Sequence, residues 1–125
     1  MGKSATPDNW LDFTELYFVV SDKTGAAIGD IHLQAFDDPV QTCGPEMLRA
    51  EIANDTTGLI PDWGYDVGYL VDGNRLVVEF GIPICDGTYE IAATLSQDVS
   101  EGDFRSVSPW GGKSFGSVRV SPDPR

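Results

Sequence analysis

The sequence predicts an all-β protein: about seven short antiparallel strands packed as a β-sandwich, with a small closed β-barrel as the alternative packing of the same pattern. Three observations carry this. Apolar residues recur at every second position in short runs, the periodicity of half-buried strands. Clusters of Asp, Asn, Ser, Thr and Gly separate those runs. Fourteen glycines and eight prolines in 125 residues, with 41% hydrophobic residues, suit a turn-rich chain that still builds a core.

Residues 1–12 are polar, with Pro7 and one Trp10, and read as a flexible N-terminal arm ahead of a single domain over 13–125. Leu16, Phe18 and Val20 then share a parity on the first strand, 13–20. Ser21-Asp22-Lys23-Thr24-Gly25 follows, where an Asp side chain can bond backbone groups just ahead of it and Gly accepts positive φ. Ile31, Leu33 and Ala35 form the next inward row, on a strand over 30–36 with His32 and Gln34 facing away. Asp37-Asp38-Pro39 ends it, because Pro cannot donate to a ladder. Residues 40–47 read as a loop. Leu48, Ala50 and Ile52 alternate with Arg49 and Glu51 as a short strand, although Pro45 to Ile52 also fits two helical turns with Pro at the first position.

Asn54 to Gly58 is a turn cluster, and Leu59 to Gly68 is the longest irregular stretch and the most aromatic. Tyr69-Leu70-Val71, Asp72-Gly73-Asn74 and Arg75 to Phe80 then read as a β-hairpin, with Val67, Tyr69 and Val71 opposite Leu76, Val78 and Phe80. Gly81 to Gly87 turns the chain again. Tyr89, Ile91, Ala93 and Leu95 are the inward set of the following strand. Residues 96–114 are polar, with Trp110 among Ser, Pro and Gly. The last strand is Phe115–Ser121, with Gly116, Val118 and Val120 on one parity.

Two segments carry a resemblance. V-x-D-x-x-G-x-x-I-G-x-I-x-L over Val20–Leu33, and Asp86-Gly87-Thr88-Tyr89-Glu90-Ile91, resemble elements of carboxypeptidase regulatory-like and transthyretin-like domains. The resemblance implies an immunoglobulin-like Greek-key sandwich serving as an accessory or interaction module.

Formal net charge is −12, which opposes binding to the phosphate backbone of a nucleic acid. The end of the chain differs: residues 105–125 hold Arg105, Lys113, Arg119 and Arg125 against Asp123, a mildly basic segment able to dock on an acidic face of its own domain or of a neighbour. No apolar run approaches the roughly 20 residues a membrane helix needs. No hydrophobic leader is visible, so the chain is read as either not secreted or already processed. Met1 to Thr6 fits the loose myristoylation pattern, but one acyl chain anchors only marginally.

Cys43 and Cys85 are the only cysteines; they form either one disulfide or two thiols, and cannot make a structural zinc site unaided. His32 is the sole histidine, so a multi-histidine metal site is excluded, and no G-x-S-x-G marks a nucleophile. The carboxylate pairs Asp37-Asp38, Asp62/Asp66 and Glu101/Asp103 are expected from twenty acidic residues and read first as turn caps and solvated surface. Asp37-Asp38 and Asp62/Asp66 also offer the clustered oxygens that Ca²⁺ takes, without EF-hand spacing. The candidate ligand-binding residues are Trp63 and Tyr65, flanked by Asp62 and Asp66, together with Trp110: aromatic faces beside carboxylates can stack on sugar rings and bond their hydroxyls. The functional expectation is a non-enzymatic module binding a protein or polysaccharide, or a structural subunit that self-associates. The alternatives are a barrel holding an apolar small molecule, with Tyr69, Tyr89, Phe80 and Trp110 lining it and cyclase or isomerase chemistry in view, and an assembly component of a phage or similar particle.

Overall fold

The computed structural model describes residues 6–40, 46–60, 66–82, 88–108 and 111–122. The strands are β1 (Glu15–Ser21), β2 (Ala27–Val40), β3 (Met47–Asp55), β4 (Asp66–Asp72), β5 (Arg75–Ile82), β6 (Thr88–Thr94), β7 (Ser100–Ser108) and β8 (Gly111–Ser121), preceded by a 3₁₀ turn at Asp8–Trp10. Each strand pairs antiparallel with the next, and β8 pairs back onto β1, so the sheet closes into an eight-stranded barrel. The expected sandwich gives way to the barrel alternative. There is no Greek-key crossing, since every connection joins neighbours.

The strand missing from the sequence reading is β7, which lies inside the stretch read as polar loop. Its inward positions include Ser100, Gly102 and Phe104, so no apolar row advertises it. Gly102 pairs with Ala93 and Val118, and a Cβ there would sit 1.9 Å from the Ala92 carbonyl oxygen. With β7 present, β8 gains a partner on each side and the sheet has no free edge, which removes the liability of an unpaired strand.

Eight strands enclose a space just wide enough for side chains to fill. Large residues alternate with small ones around it. One ring runs Leu76, Ala93, Gly102, Val118, Val20 across β5, β6, β7, β8 and β1; the next runs Val78, Ile91, Phe104, Gly116. Leu16, Val20, Leu33, Leu76, Val78, Ile91 and Phe104 are completely buried, so among the described residues the middle of the barrel is filled with side chains. The inward rows read for β1, β2, β4–β5, β6 and β8 all fall inside, and the pairs Val67–Phe80, Tyr69–Val78 and Val71–Leu76 form as expected. Gly73, at φ +64, opens the two-residue turn of that hairpin. Residues Met47 to Ile52 are strand rather than helix, but Ile52, although paired with buried Leu33, is 41% exposed, next to the point where β2 and β3 slip register.

One end of the barrel is stoppered by the segment read as a flexible arm. Trp10 is 2% exposed, packs edge-on against Phe13, and its indole N–H donates to Ser100 Oγ at 3.2 Å. Ser100 Oγ also accepts from Ser96 N–H and donates to the Ser96 carbonyl, which satisfies a buried hydroxyl. Thr6 Oγ1 donates to the Gly73 carbonyl at 2.6 Å, tying the segment across the barrel mouth. A single tryptophan in a polar stretch carries no periodicity, so the sequence did not mark it as core. Towards the other end, Phe80, Tyr89, Phe104 and Phe115 form a connected ring cluster.

Candidate functional site

The alternation that fills the interior places a second set of side chains outside. Because Leu16, Phe18, Ile31 and Leu33 point in, Tyr17 and His32 point out, and the β1–β2 register sets them side by side. The row extends to Ser121 on β8 and Asn54 on β3. The Tyr17 and His32 rings stack, with centroids 4.3 Å apart and planes 13° from parallel.

Glu15, two residues before Tyr17 on the same face, ties the pair together. Its Oε1 lies 2.8 Å from His32 Nε2 and accepts the Tyr17 hydroxyl at 3.3 Å. An ionised carboxylate only accepts, so Nε2 carries the proton in this contact. The imidazole is 26% exposed and the Glu15 side chain 37%. The rings stand in an open groove of about 400 Å³, lined also by Val19, Asp30, Asn54 and Ser121. Val19 is 48% exposed, an apolar surface beside the rings.

This arrangement holds a planar aromatic pair rigidly and presents carboxylate, amide and hydroxyl groups around it. It does not assemble a nucleophile and base: Ser121 and His32 are separated in the row by Tyr17, two strand spacings or roughly 10 Å apart. The hairpin made this pairing legible. A turn centred on Asp22–Ala26 with inward Phe18 and Ile31 puts 17 opposite 32; parity alone orients His32 outward, and the contact with Tyr17 follows only when the register is carried across the turn.

A second polar constellation lies where β2 bulges. Ala35 pairs with Ala50 and Pro39 with Leu48, so Phe36, Asp37 and Asp38 stand opposite Arg49. The Arg49 guanidinium sits 3.9 Å from the Phe36 ring centroid. It donates from Nε to Asp38 Oδ2 at 2.8 Å and from Nη2 to Oδ1 at 3.3 Å, and it also bonds Glu51. The hydrogen bond from Arg49 lowers the Asp38 carboxyl below its ordinary value, and Asp38 in turn raises Arg49. Tyr69 donates its hydroxyl to the Phe36 carbonyl at 2.6 Å; burial first, then the charges of Asp37 and Asp38, raise its pKa. Asp38 thus serves the bulge through its ion pair with Arg49. Among the described residues no three His, Cys, Asp or Glu side chains gather as a metal group.

A third feature is a cross-strand belt on β5–β7. Glu79 stands opposite Glu90, and Glu90 Oε1 accepts from Arg105 Nη2 at 2.8 Å and Nε at 3.2 Å. Burial, then the Glu90 charge, raises the Glu79 carboxyl. Glu101 and Asp103 face outward on β7 opposite Arg119 and Ser117. Of the loop candidates, Asp66 is the exposed first residue of β4. Asp62, Trp63, Tyr65 and Trp110 lie outside the described residues, as do Cys43 and Cys85. The strand ends flanking these loop candidates belong to one end of the barrel: Asp55 and Asp66 on β3–β4, Ser108 and Gly111 on β7–β8.

Among the described residues, no helix is long and apolar enough to cross a membrane. The outward rows carry Glu79, Glu90, Glu101, Asp103, Arg105 and Arg119 around an apolar interior, the reverse of a lipid-facing barrel. No protein-family model matches the chain, and neither curated proteins nor solved structures give a match.

Proposed function

We propose that the chain is a non-enzymatic binding module that engages a protein or polysaccharide partner from the outer face of β8, β1, β2 and β3, around Tyr17 and His32. The observation that carries this reading is the contrast between the two faces of the sheet. Inside, among the described residues, the central side chains are fully buried against one another. Outside, the stacked Tyr17–His32 pair is held by Glu15 beside an open groove. Aromatic residues fixed in orientation supply contact area at low entropic cost, which suits a recognition surface. The loops bearing Trp63, Tyr65 and Trp110 are a second candidate surface on the same scaffold.

The test is site-directed photo-crosslinking in extract of the cells that make the protein. A photoreactive phenylalanine at position 19, beside the rings, is expected to give a discrete adduct. The same residue at exposed Thr94 on β6 is expected to give none. Equal labelling from both positions, or none from position 19 together with no retained polysaccharide, overturns the reading.

A further inference from the structure

We infer that the outer groove at Tyr17, Val19, Asp30 and His32 receives a lysine- or arginine-bearing segment of a partner protein; this rests on the outer-face reading above. The first support is charge. From Glu15 to Asp55 the chain carries eight acidic residues, Glu15, Asp22, Asp30, Asp37, Asp38, Glu46, Glu51 and Asp55, against Lys23 and Arg49. That stretch is β1–β3, the sector holding the groove. On β7–β8 the balance is reversed, with Glu101 and Asp103 against Arg105, Lys113 and Arg119. Residues 56–99 add seven acidic residues against Arg75, so the acidity extends over β4–β6 as well; the groove lies at the margin of this acidic surface, on the strands next to β8, and attracts a cationic partner.

The second support is the composition of the groove. Asp30 is exposed in its wall, Glu15 holds the rings, and Val19 offers apolar surface for an alkyl stem. Long cationic side chains pack their methylenes on such surface and keep the charge at a carboxylate or a ring face. The third is a precedent within the molecule: the bulge on β2 already holds a guanidinium over Phe36, between Asp38 and Glu51. The groove presents related elements, an aromatic ring and the Asp30 carboxylate, to an incoming chain, with Arg119 opposite Val19 at its β8 side.

Fluorescence anisotropy of a labelled Arg-Gly repeat peptide against the full chain at low salt tests this. Saturable binding is expected, weakened about tenfold by Tyr17→Ala and by the conservative Asp30→Asn. Asp98→Asn, the same change of charge at an exposed loop residue beyond β6, is expected to weaken it by less than about twofold. Equal effects of Asp30→Asn and Asp98→Asn mean diffuse attraction and overturn the inference. An adduct at position 19 with no peptide binding overturns the inference while leaving the outer-face reading standing. Absence of both removes both.

Discussion

Glu79 shows how one side chain on the outer face registers its surroundings. It is half-buried beside β4 and opposes Glu90, and both effects disfavour its charge. A carboxyl raised by folding contributes its stability in full below its unfolded pKa, and that contribution is lost as pH rises through the folded value. Glu79→Gln removes the group that must ionise. The variant is therefore expected to melt higher than the parent at pH 7, with the difference closing near pH 4, where the parent carboxyl is largely protonated. Thermal melts at the two pH values read this directly; a variant less stable at pH 7, or an equal gap at both, contradicts it. Asp22 behaves oppositely. Thr24 OH and N–H and the Ala26 N–H all bond its Oδ1, hold the carboxyl below its ordinary value and fix the β1–β2 turn. That turn was legible in the sequence, because the Asp-x-x-Gly spacing states its own hydrogen bonding.

At the scale of elements, closure of the barrel depends on the seam between β1 and β8. Gly116 sits there at φ +150, and a Cβ would lie 1.9 Å from the Ser21 carbonyl oxygen. The obstructing atom is backbone, so it cannot swing aside. Gly116 also faces Phe104, and the register slip beside it lets Phe115 join the interior ring cluster. Gly116→Ala is expected to cost at least about 2 kcal/mol, from the strained φ and the overpacking together. Amide exchange should accelerate at Tyr17–Ser21 and Val118–Ser121 while the β4–β5 hairpin stays protected. Unchanged protection along the seam contradicts this account of closure. Gly116 reads in the sequence as an ordinary member of an apolar row. The need for glycine arises from the neighbouring strand, which pairs only after the sheet has closed.

The same limit explains what the whole sequence revealed. Period-two patterning exposes a strand when its inward residues are large and apolar, as with Leu76, Val78 and Phe80. It hides one when the interior needs small residues, as at Ser100 and Gly102. Losing β7 left seven strands, and seven strands with alternating faces favoured two packed sheets over a ring. Trp10 was hidden for the complementary reason: it enters the core from a segment with no period. The outer face was half legible. Parity set His32 outward, but the contact with Tyr17 and Glu15 required the register, and the charge of the β1–β3 sector required knowing that these strands are neighbours.

The central claim is that the barrel interior is structural and the outer face of β1–β3 does the binding. A methyl-resolved NMR spectrum of the full chain, recorded before and after addition of extract from the cells that make it, tests both parts together. The account predicts that the Val19 methyls shift or broaden while those of Leu33, Val78 and Ile91 stay in place. Interior methyls that move while Val19 does not would mean a ligand inside the barrel and would contradict it; a spectrum unchanged throughout would remove the outer-face binding as well.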